Sequence, residues 1–530
     1  MTWDEVMSSP QKKEWKKASD KEIHELVDKR NTWTIVPLSE AKGHKVLPTT
    51  WVFRLKRYPD GTPKKMKARL VIRGDLQEGL SNVYAPVAEF FSVRFFLAFS
   101  RFMNWVTCAI DFANAFCQTD YPDLMDPVWI YPPRGYYHDI RGCSILRLLK
   151  SMYGLRDAPR LWYENLFKYL LDPELGFTQS TIDPCVLFRH DMIIIVYVDD
   201  MGVAAASDKL IDDLVDFLRS KGLDLQREGN FQDFLGIRFT DLPDGSTHMT
   251  QAGLINKIIE ATGMTDCNPN KTPTQKTSLG KDPDGEPMDR TFDYRSVVGM
   301  LLYLSGNTRP DITYAVSQVA RFTHDPKQSH AKAVKMIVRY LAGSKDKGII
   351  VSKSTGELKL RVYVDADLAG LYNVDPPEDT SSAKSRTGFI IFLDTCALIW
   401  KSYLQSEISQ STLEAEYAAL SAAIRAVLPI IQVARVANVV VSPSSSIKTV
   451  FHNSCIVFED NNGALVLATT QRTTSRTKYF NVKWHFFWQY VKNGTMQIEP
   501  ISTTDQLADY LTKGLTREIF ERIRKAVQGW

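Results

Sequence analysis

The chain has 530 residues, several times the usual length of one domain, so we expect three or four packed modules, each with its own core. Its apolar fraction of 44% is ordinary for folded protein. Its formal charge of +4 is too small to attract or exclude nucleic acid by itself.

The cysteines and the apolar runs limit the class of protein. Seven cysteines are scattered along the chain without any Cys-x-x-Cys pair, which predicts a reducing compartment and argues against structural zinc. The most prominent apolar run, residues 192–198, is far too short to cross a bilayer. We therefore expect a soluble intracellular protein with no membrane partner.

The first notable segment in chain order is basic. The local field between residues 54 and 73 suits phosphate groups, although charge alone leaves open an ordinary solvated hairpin. One acid, Asp60, stands among eight basic residues, which are Arg54, Lys56, Arg57, Lys64, Lys65, Lys67, Arg69 and Arg73.

Two apolar strands that end in aspartate follow. Residues 108–116 read as a short strand that ends in Asp111 and passes into a turn or helix. Residues 193–198 are typical of a strand buried on both faces, and a hairpin turn is predicted at Asp199, Asp200 and Met201. An isolated Asp-Asp pair is most often only a turn. Three carboxylates on neighbouring strands, however, meet the needs of two Mg²⁺ ions in phosphoryl transfer.

The remaining patterning mixes α and β, which predicts α+β modules in series. Stretches rich in Pro, Asp, Ser and Thr predict an exposed connection at 265–290, an inserted loop at 371–386 and a break at 442–446. Helices are predicted over residues 210–218 after a Ser207 cap and between Ser329 and Gly343, and strands over residues 358–364 and 387–392.

A second set of acids occupies the C-terminal third. Asp365 ends an apolar strand, Asp460 follows the strand 455–458, and Asp509 lies near the C-terminus. Glu414 and Glu416 lie on a predicted helix and point about 200° apart around it, so only one can reach a shared metal site. An Asp, Glu, Asp, Asp set is what a two-metal nuclease needs, although each acid alone reads as a surface charge or a helix cap.

The sequence motifs around these acids resemble those of copia-type LTR retrotransposon Pol polyproteins, in the reverse transcriptase and ribonuclease H region. The resemblance runs from about Trp15 to the C-terminus, in family order. The matching phrases are residues 67–71, 84–87, 150–163, 183–185, 234–237, 294–304 and 308–312.

This resemblance implies a right-hand polymerase of fingers, palm and thumb, followed by a connection and a ribonuclease H-like α/β domain. Asp111, Asp199 and Asp200 would hold the polymerase metals, and Phe116 would exclude a 2′-hydroxyl, with ordinary core as the alternative. Lys56 or Arg57, with Lys67 or Arg69, would bind the triphosphate. Gly154 and Pro159 would lie near template and nucleotide, and the hairpin of Phe234 and Gly236 would position the primer end. The family usually has Gln where Asp157 stands, which puts nucleotide or template contact in question.

For the nuclease, the resemblance implies the metal ligands Asp365, Glu416, Asp460 and Asp509, with Glu416 preferred to Glu414. The basic and aromatic stretch 464–496, with Arg476, Trp484 and Trp488, fits either a hybrid-binding face or a packed aromatic core. Four positions depart from the family pattern and put nuclease efficiency in question: Leu368, Tyr479, Asn481 and Trp488.

Together these observations predict an RNA- and DNA-directed DNA polymerase with ribonuclease H activity, divided at residues 1–240 (fingers and palm), 241–270 (thumb-like), 271–353 (linker and connection) and 354–530 (ribonuclease H-like). Each site would bind two Mg²⁺ ions, with Mn²⁺ as a substitute. The expected partners are an RNA template, a nucleic-acid primer, the RNA–DNA hybrid and dNTPs, with integrase and capsid proteins of the same element. The expected location is cytoplasmic, in a virus-like particle, with the nucleus as a second location.

Two alternatives stay open. The chain could be a catalytically degenerate retroelement remnant that only binds nucleic acid, although the intact acids of both sets argue against this. An RNA-dependent RNA polymerase would share the paired aspartates but neither Phe116 nor the second acidic set.

Overall fold

The computed structural model describes residues 2–57, 63–79, 82–122, 125–137, 142–352, 356, 358–372, 374–376, 378–441, 455–473 and 477–530. Within these ranges the chain forms five β-sheets and thirteen α-helices. The predicted α+β class is confirmed.

The N-terminal part combines a four-stranded sheet with a two-stranded hairpin, which we call the basic hairpin. Trp51 and Leu70 pair across the hairpin and are buried, and the Trp51 ring packs against that of Trp3. Arg54 and Lys67 pair on the opposite face, so the polar and apolar alternation along each strand decides which face is buried. The sheet strands are Trp33–Pro37, Ser144–Leu148, Trp129–Ile130 and Val46–Leu47, the hairpin strands are Thr49–Arg57 and Pro63–Ile72, and the helices are Trp3–Met7, Lys12–His24 and the π-helix Glu25–Lys29.

The second sheet, which we call the central sheet, is antiparallel throughout. Its middle strand sends Ile193 and Ile195 into the core that contains Phe95, and Ile194 and Val196 into the core that contains Trp162. Burial on both faces explains why residues 193–196 are all apolar. In sheet order the strands are Leu225–Arg227, Val106–Phe112, Asp200–Ala205, Met192–Tyr197, Val186–Arg189 and Thr178–Gln179, and the helices are Phe90–Phe102, Ala158–Leu170 and Asp208–Ser220.

A third sheet and four helices follow the central sheet. Strand Ile349–Val351 pairs with Thr247–Thr250, so the predicted thumb-like and connection segments share one sheet. The domain boundaries at residues 240, 270 and 353 stay predictions. The other strands are Asp233–Phe234 and Ile237–Asp241, and the helices are Ala252–Ala261, Tyr294–Asn307, Thr313–Ala320 and Gln328–Ala342.

The C-terminal sheet has five strands, and its three parallel strands are adjacent. Helix Thr412–Val441 packs on it. Among the described residues this is the one helix long and apolar enough to span a membrane, but 61% of its apolar window is buried inside the protein, as in a core helix. In sheet order the strands are Cys396–Leu404, Arg386–Leu393, Leu360–Asp367, Cys455–Glu459 and Met496–Pro500, and the remaining helices are Asn462–Thr470, Trp488–Lys492 and Arg517–Gln528.

Arg94 joins the central and C-terminal parts. Its fully buried guanidinium donates hydrogen bonds to the carbonyl oxygens of Leu398, Gly306 and Asn307, and it lies 4.1 Å from the centroid of the Trp400 ring. These hydrogen bonds offset part of the cost of burying the charge and join helix Phe90–Phe102 to strand Cys396–Leu404, whereas Arg94 Nε has no hydrogen-bond partner among the described residues.

Candidate active sites

The Asp-Asp pair lies on a two-residue hairpin. Tyr197 pairs with Asp200, so the turn consists of Val198 and Asp199, one residue earlier than predicted, and Asp200 already belongs to the next strand. Val198 has a φ of +58°, which tight hairpins require but β-branched residues rarely adopt. The indole N–H of buried Trp162 donates a hydrogen bond to the Val198 carbonyl at 2.6 Å, which holds the turn.

Asp111 and Asp200 stand directly opposite each other on paired strands. Side chains in such pairs have Cβ atoms roughly 5 Å apart, and like charges there repel. Asp111 is exposed, and Asp199 and Asp200 are half-buried, so solvent can reach all three residues. Carboxylate oxygens are ligands that Mg²⁺ prefers, and a bound cation would offset this repulsion.

Phe116 lies on the 3-10 helix Ala115–Gln118, which follows the strand that carries Asp111. Its half-buried ring meets the Tyr153 ring edge-on at 4.8 Å, and the Arg69 guanidinium lies 4.0 Å from the Tyr153 ring centroid. Burial raises the pKa of Tyr153, Arg69 opposes the rise, and the Asp199 carboxylate adds to it. Tyr153 therefore keeps its proton at neutral pH. A row of contacting side chains thus runs from Arg69 through Tyr153 to Phe116. Tyr153 is close enough to Asp199 for the two to interact electrostatically.

The predicted triphosphate ligands lie on the basic hairpin. Arg69 pairs with Val52 and Lys67 with Arg54, so these two basic positions share a face. The side chains of Lys56 and Arg57 lie outside the described residues, and the choice between them stays open.

Gly154 acts through backbone packing. Its φ is +96°, and a Cβ there would lie 2.1 Å from the Ile72 carbonyl oxygen. The Ile72 N–H donates a hydrogen bond to the Tyr153 carbonyl at 2.9 Å, so this close approach seats the basic hairpin against the loop that carries Tyr153.

Asp157 and Pro159 begin helix Ala158–Leu170. Asp157 is fully buried, its Oδ2 accepts a hydrogen bond from the Tyr121 hydroxyl at 3.1 Å, and its Oδ1 has no hydrogen-bond partner among the described residues. Any effect of this family departure on nucleotide or template therefore passes through the helix start and not through direct contact. Pro159 borders an apolar cavity of about 390 Å³ that Trp162 and Val198 also line.

The predicted primer hairpin turns at Leu235 and Gly236, which have φ values of +53° and +70°. Phe234 is 2% exposed and packs against Phe231, so its side chain anchors the hairpin from the core, and the role of the hairpin at the primer end stays a prediction. Gly236 is exposed at the tip. The Tyr303 hydroxyl donates a hydrogen bond to the Leu235 carbonyl at 2.8 Å and supports the turn from below.

The second set of acids comes together at the C-terminal sheet. Strands Leu360–Asp367 and Cys455–Glu459 run parallel with Tyr363 opposite Phe458, which brings Asp365 level with Asp460. Glu416 reaches them from helix Thr412–Val441. Among the described residues these form the one acidic group whose ligand oxygens all lie within 4.8 Å of one another.

The chemistry of this cluster fits a divalent cation. Glu416 Oε2 is buried without a hydrogen-bond partner in the described part of the chain, which leaves an oxygen for a metal. Glu414 instead accepts a hydrogen bond from the Gln410 N–H at 2.8 Å, away from the cluster. Burial raises the pKa of Asp365 to about 6, with Lys513 opposing and Asp509 adding to the rise. Burial, then Glu459, Asp365 and Asp460, raise the pKa of Glu416.

Two charged residues at this site were missed by sequence reasoning. Glu459, next to Asp460, is 1% exposed. Cys455, Val457 and Glu459 alternate along the strand on its buried face, and this alternation could have identified Glu459 as buried. Lys513 forms ion pairs with Asp509 at 2.9 Å and with Asp365 at 3.8 Å, and its i,i+4 spacing from Asp509 was the signal.

The stretch 464–496 divides between core and surface. Trp484 is 8% exposed and the Tyr417 hydroxyl lies 2.8 Å from His485 Nδ1, so this part of the aromatic run packs in the core. Lys478 and Tyr479 are exposed, and Arg476 lies outside the described residues. The exposed groups are available for a nucleic-acid partner.

Comparisons with known proteins identify relatives of the chain. Residues 30–276 match the family model "Reverse transcriptase (RNA-dependent DNA polymerase)". The chain is 31% identical over 520 residues to the retrovirus-related Pol polyprotein from transposon RE1 of Arabidopsis thaliana, covering 97% of this chain and 34% of that protein. It is 29% identical over 538 residues to the Pol polyprotein from transposon TNT 1-94 of Nicotiana tabacum, covering 99% of this chain and 38% of that protein.

The chain belongs to the copia-type retrotransposon Pol family. It spans about a third of the length of the curated relatives it matches. A solved structure of a foamy viral protease–reverse transcriptase in complex with double-stranded DNA aligns with a TM-score of 0.49 and 11% identity, covering 92% of this chain and 70% of that one. In this Pol chain the family match contains Asp111, Asp199 and Asp200, whereas the acids of the C-terminal sheet lie beyond it.

Proposed function

We propose that the chain is an RNA-directed and DNA-directed DNA polymerase that also degrades the RNA strand of an RNA–DNA hybrid. The register that sets Asp200, the first residue after the turn, opposite Asp111 is the observation that carries the polymerase half. It brings two like-charged residues opposite each other, next to Asp199 of the turn, and a divalent cation bound by their carboxylates would offset the repulsion.

The surroundings support dNTPs, an RNA template and a primer as substrates. Arg69 and Lys67 offer charge-assisted contacts to phosphate oxygens on the same side as Tyr153 and Phe116. The half-buried Phe116 ring, which contacts Tyr153, would meet a 2′-hydroxyl and so favour deoxynucleotides. Bound Mg²⁺ or Mn²⁺ ions, two in each site, would lower the pKa of the attacking hydroxyl or water and neutralise charge on the phosphate.

The nuclease half rests on Asp365, Glu416 and Asp460, whose oxygens lie within 4.8 Å of one another, with Asp509 beyond Lys513. Exposed Lys478 and Tyr479 offer contacts to a hybrid. We further propose a cytoplasmic virus-like particle as the location, with the nucleus second, and integrase and capsid proteins of the same element as partners.

Primer extension on an RNA template with dNTPs and Mg²⁺ or Mn²⁺ tests the polymerase. Asp199→Asn should abolish extension, whereas Asp213→Asn, the same change on an exposed helix face, should leave it intact. Absence of metal-dependent extension by the wild type, or equal extension by Asp199→Asn, would contradict the polymerase claim and favour a nucleic-acid-binding remnant.

Cleavage of labelled RNA in a hybrid tests the nuclease. Glu416→Gln should abolish it, while Glu414→Gln, two residues away on the same helix, should retain it. Equal loss in both variants, or loss of extension together with cleavage, would count against a separate nuclease site.

A further inference from the structure

Lys513 places a cation inside the acidic site. Its Nζ lies 2.9 Å from Asp509 Oδ1 and 3.8 Å from Asp365 Oδ2, and its side chain is 41% exposed. Within the described part of the chain it is the one cation that pairs with either carboxylate. The site thus contains a tethered ammonium group between two of its four predicted metal ligands.

The backbone holds this lysine in place. The Lys513 N–H donates a hydrogen bond to the Asp509 carbonyl at 3.2 Å, at the end of the 3-10 helix Leu507–Leu511. The hydroxyl of the preceding Thr512, which is fully buried, hydrogen-bonds the Asp365 carboxylate. These contacts tie the start of the lysine side chain to the same two acids that its ammonium group reaches.

The two halves of the site therefore differ. On one side Asp365, Glu416 and Asp460 converge, a buried Glu416 oxygen has no hydrogen-bond partner, and no ion pair joins Glu416 or Asp460 to a cation among the described residues. On the other side Asp365 and Asp509 already share an ammonium group. A divalent cation entering the second side would meet a like charge within about 4 Å of its ligands.

We propose that the Lys513 ammonium occupies the position between Asp365 and Asp509 that a second divalent ion would take. The nuclease site then binds one ion tightly through Asp365, Glu416 and Asp460, and a second ion binds only by displacing the lysine. The partial exposure of the side chain gives it room to swing out. This inference rests on the proposed nuclease function.

Titration of the full chain with Mn²⁺ by isothermal calorimetry tests the proposal. Lys513→Met should add one Mn²⁺ per chain or tighten the weakest bound ion by about tenfold, because it removes the competing cation. Lys513→Arg, which keeps the charge, should titrate like the wild type. So should Lys150→Met, which removes a lysine paired with Asp120 at 2.6 Å outside the site.

An unchanged or weaker Mn²⁺ isotherm for Lys513→Met would overturn the proposal. If far-UV circular dichroism shows that Lys513→Met is unfolded, the titration uses Lys513→Gln, which is also neutral. Hybrid cleavage by the wild type is measured in parallel. If the wild type does not cleave, the proposed nuclease function fails. If the wild type cleaves but Mn²⁺ binding does not change when Lys513 is removed, only this inference is contradicted.

Discussion

Both acidic sites bring like-charged carboxylates together, but the first site is accessible to water and the second is buried. Asp111 and Asp200 meet on antiparallel strands at an accessible edge, so water can hydrate their charges. Asp365 and Glu416 are buried between parallel strands and a helix, where desolvation raises their pKa values. Folding of the second site should therefore depend on bound cations and pH more strongly than folding of the first.

The largest expected effect separates the two chemistries. Asp111→Asn should lower primer extension by about a thousandfold and leave hybrid cleavage unchanged, because it removes a carboxylate from the first site alone. Asp460→Asn should do the reverse. Both activities are measured on the same preparation, and a variant that lowers both would break the distinction between the sites.

Gly154→Ala tests how the first site depends on its backbone. The added Cβ meets the Ile72 carbonyl in a residue with φ of +96°, which should lower the free energy of unfolding by about 3 kcal/mol and reduce extension more than cleavage. Gly222→Ala has a similar φ of +87° but open space, so it should lose about 1 kcal/mol. Urea denaturation of both variants gives the difference, and equal losses would exclude the backbone contact as the cause.

Phe116→Val tests the sugar selectivity that only the first site needs. A smaller side chain should raise the efficiency of ribonucleotide incorporation relative to deoxynucleotide incorporation by about tenfold. Phe177→Val, at another half-buried ring, should keep the wild-type ratio. Steady-state kinetics with paired nucleotides measures both, and an unchanged ratio in Phe116→Val would assign the ring to the core.

The smallest effect concerns pH. The folded pKa of Asp365, about 6, lies above its ordinary value of 3.8, so its contribution to metal-free stability is fully present below about pH 3.8 and is lost as pH rises through 6. Cations bind the deprotonated form, so stabilisation by Mg²⁺ or Mn²⁺ should grow by about 2–4 °C in Tm between pH 5.5 and 8. Asp199→Asn should retain this increase and Glu416→Gln should lose it. If Asp199→Asn lost the increase and Glu416→Gln retained it, the first site and not the second would be the one that depends on cations and pH.

Local sequence patterns predicted much of the architecture. The apolar run 193–198 identified a strand buried on both faces, and the structure has it at Met192–Tyr197. Ser207 precedes helix Asp208–Ser220 as predicted. The order of the motifs, together with the two acidic sets, was enough to indicate the family. These features depend on neighbours within a few residues, which is the range over which side-chain periodicity and turn chemistry act.

Contacts between distant segments decided the rest. Strand pairing set Asp111 opposite Asp200 and Asp365 level with Asp460. Packing buried Phe234 and Asp157, which sequence reasoning had placed near substrate. The ammonium of Lys513 reaches Asp365 only because the C-terminal segment folds back on the sheet. By itself, the sequence determined which acids are present and which elements carry them; only the tertiary structure decided which of them meet, because burial and register depend on pairing across the whole chain.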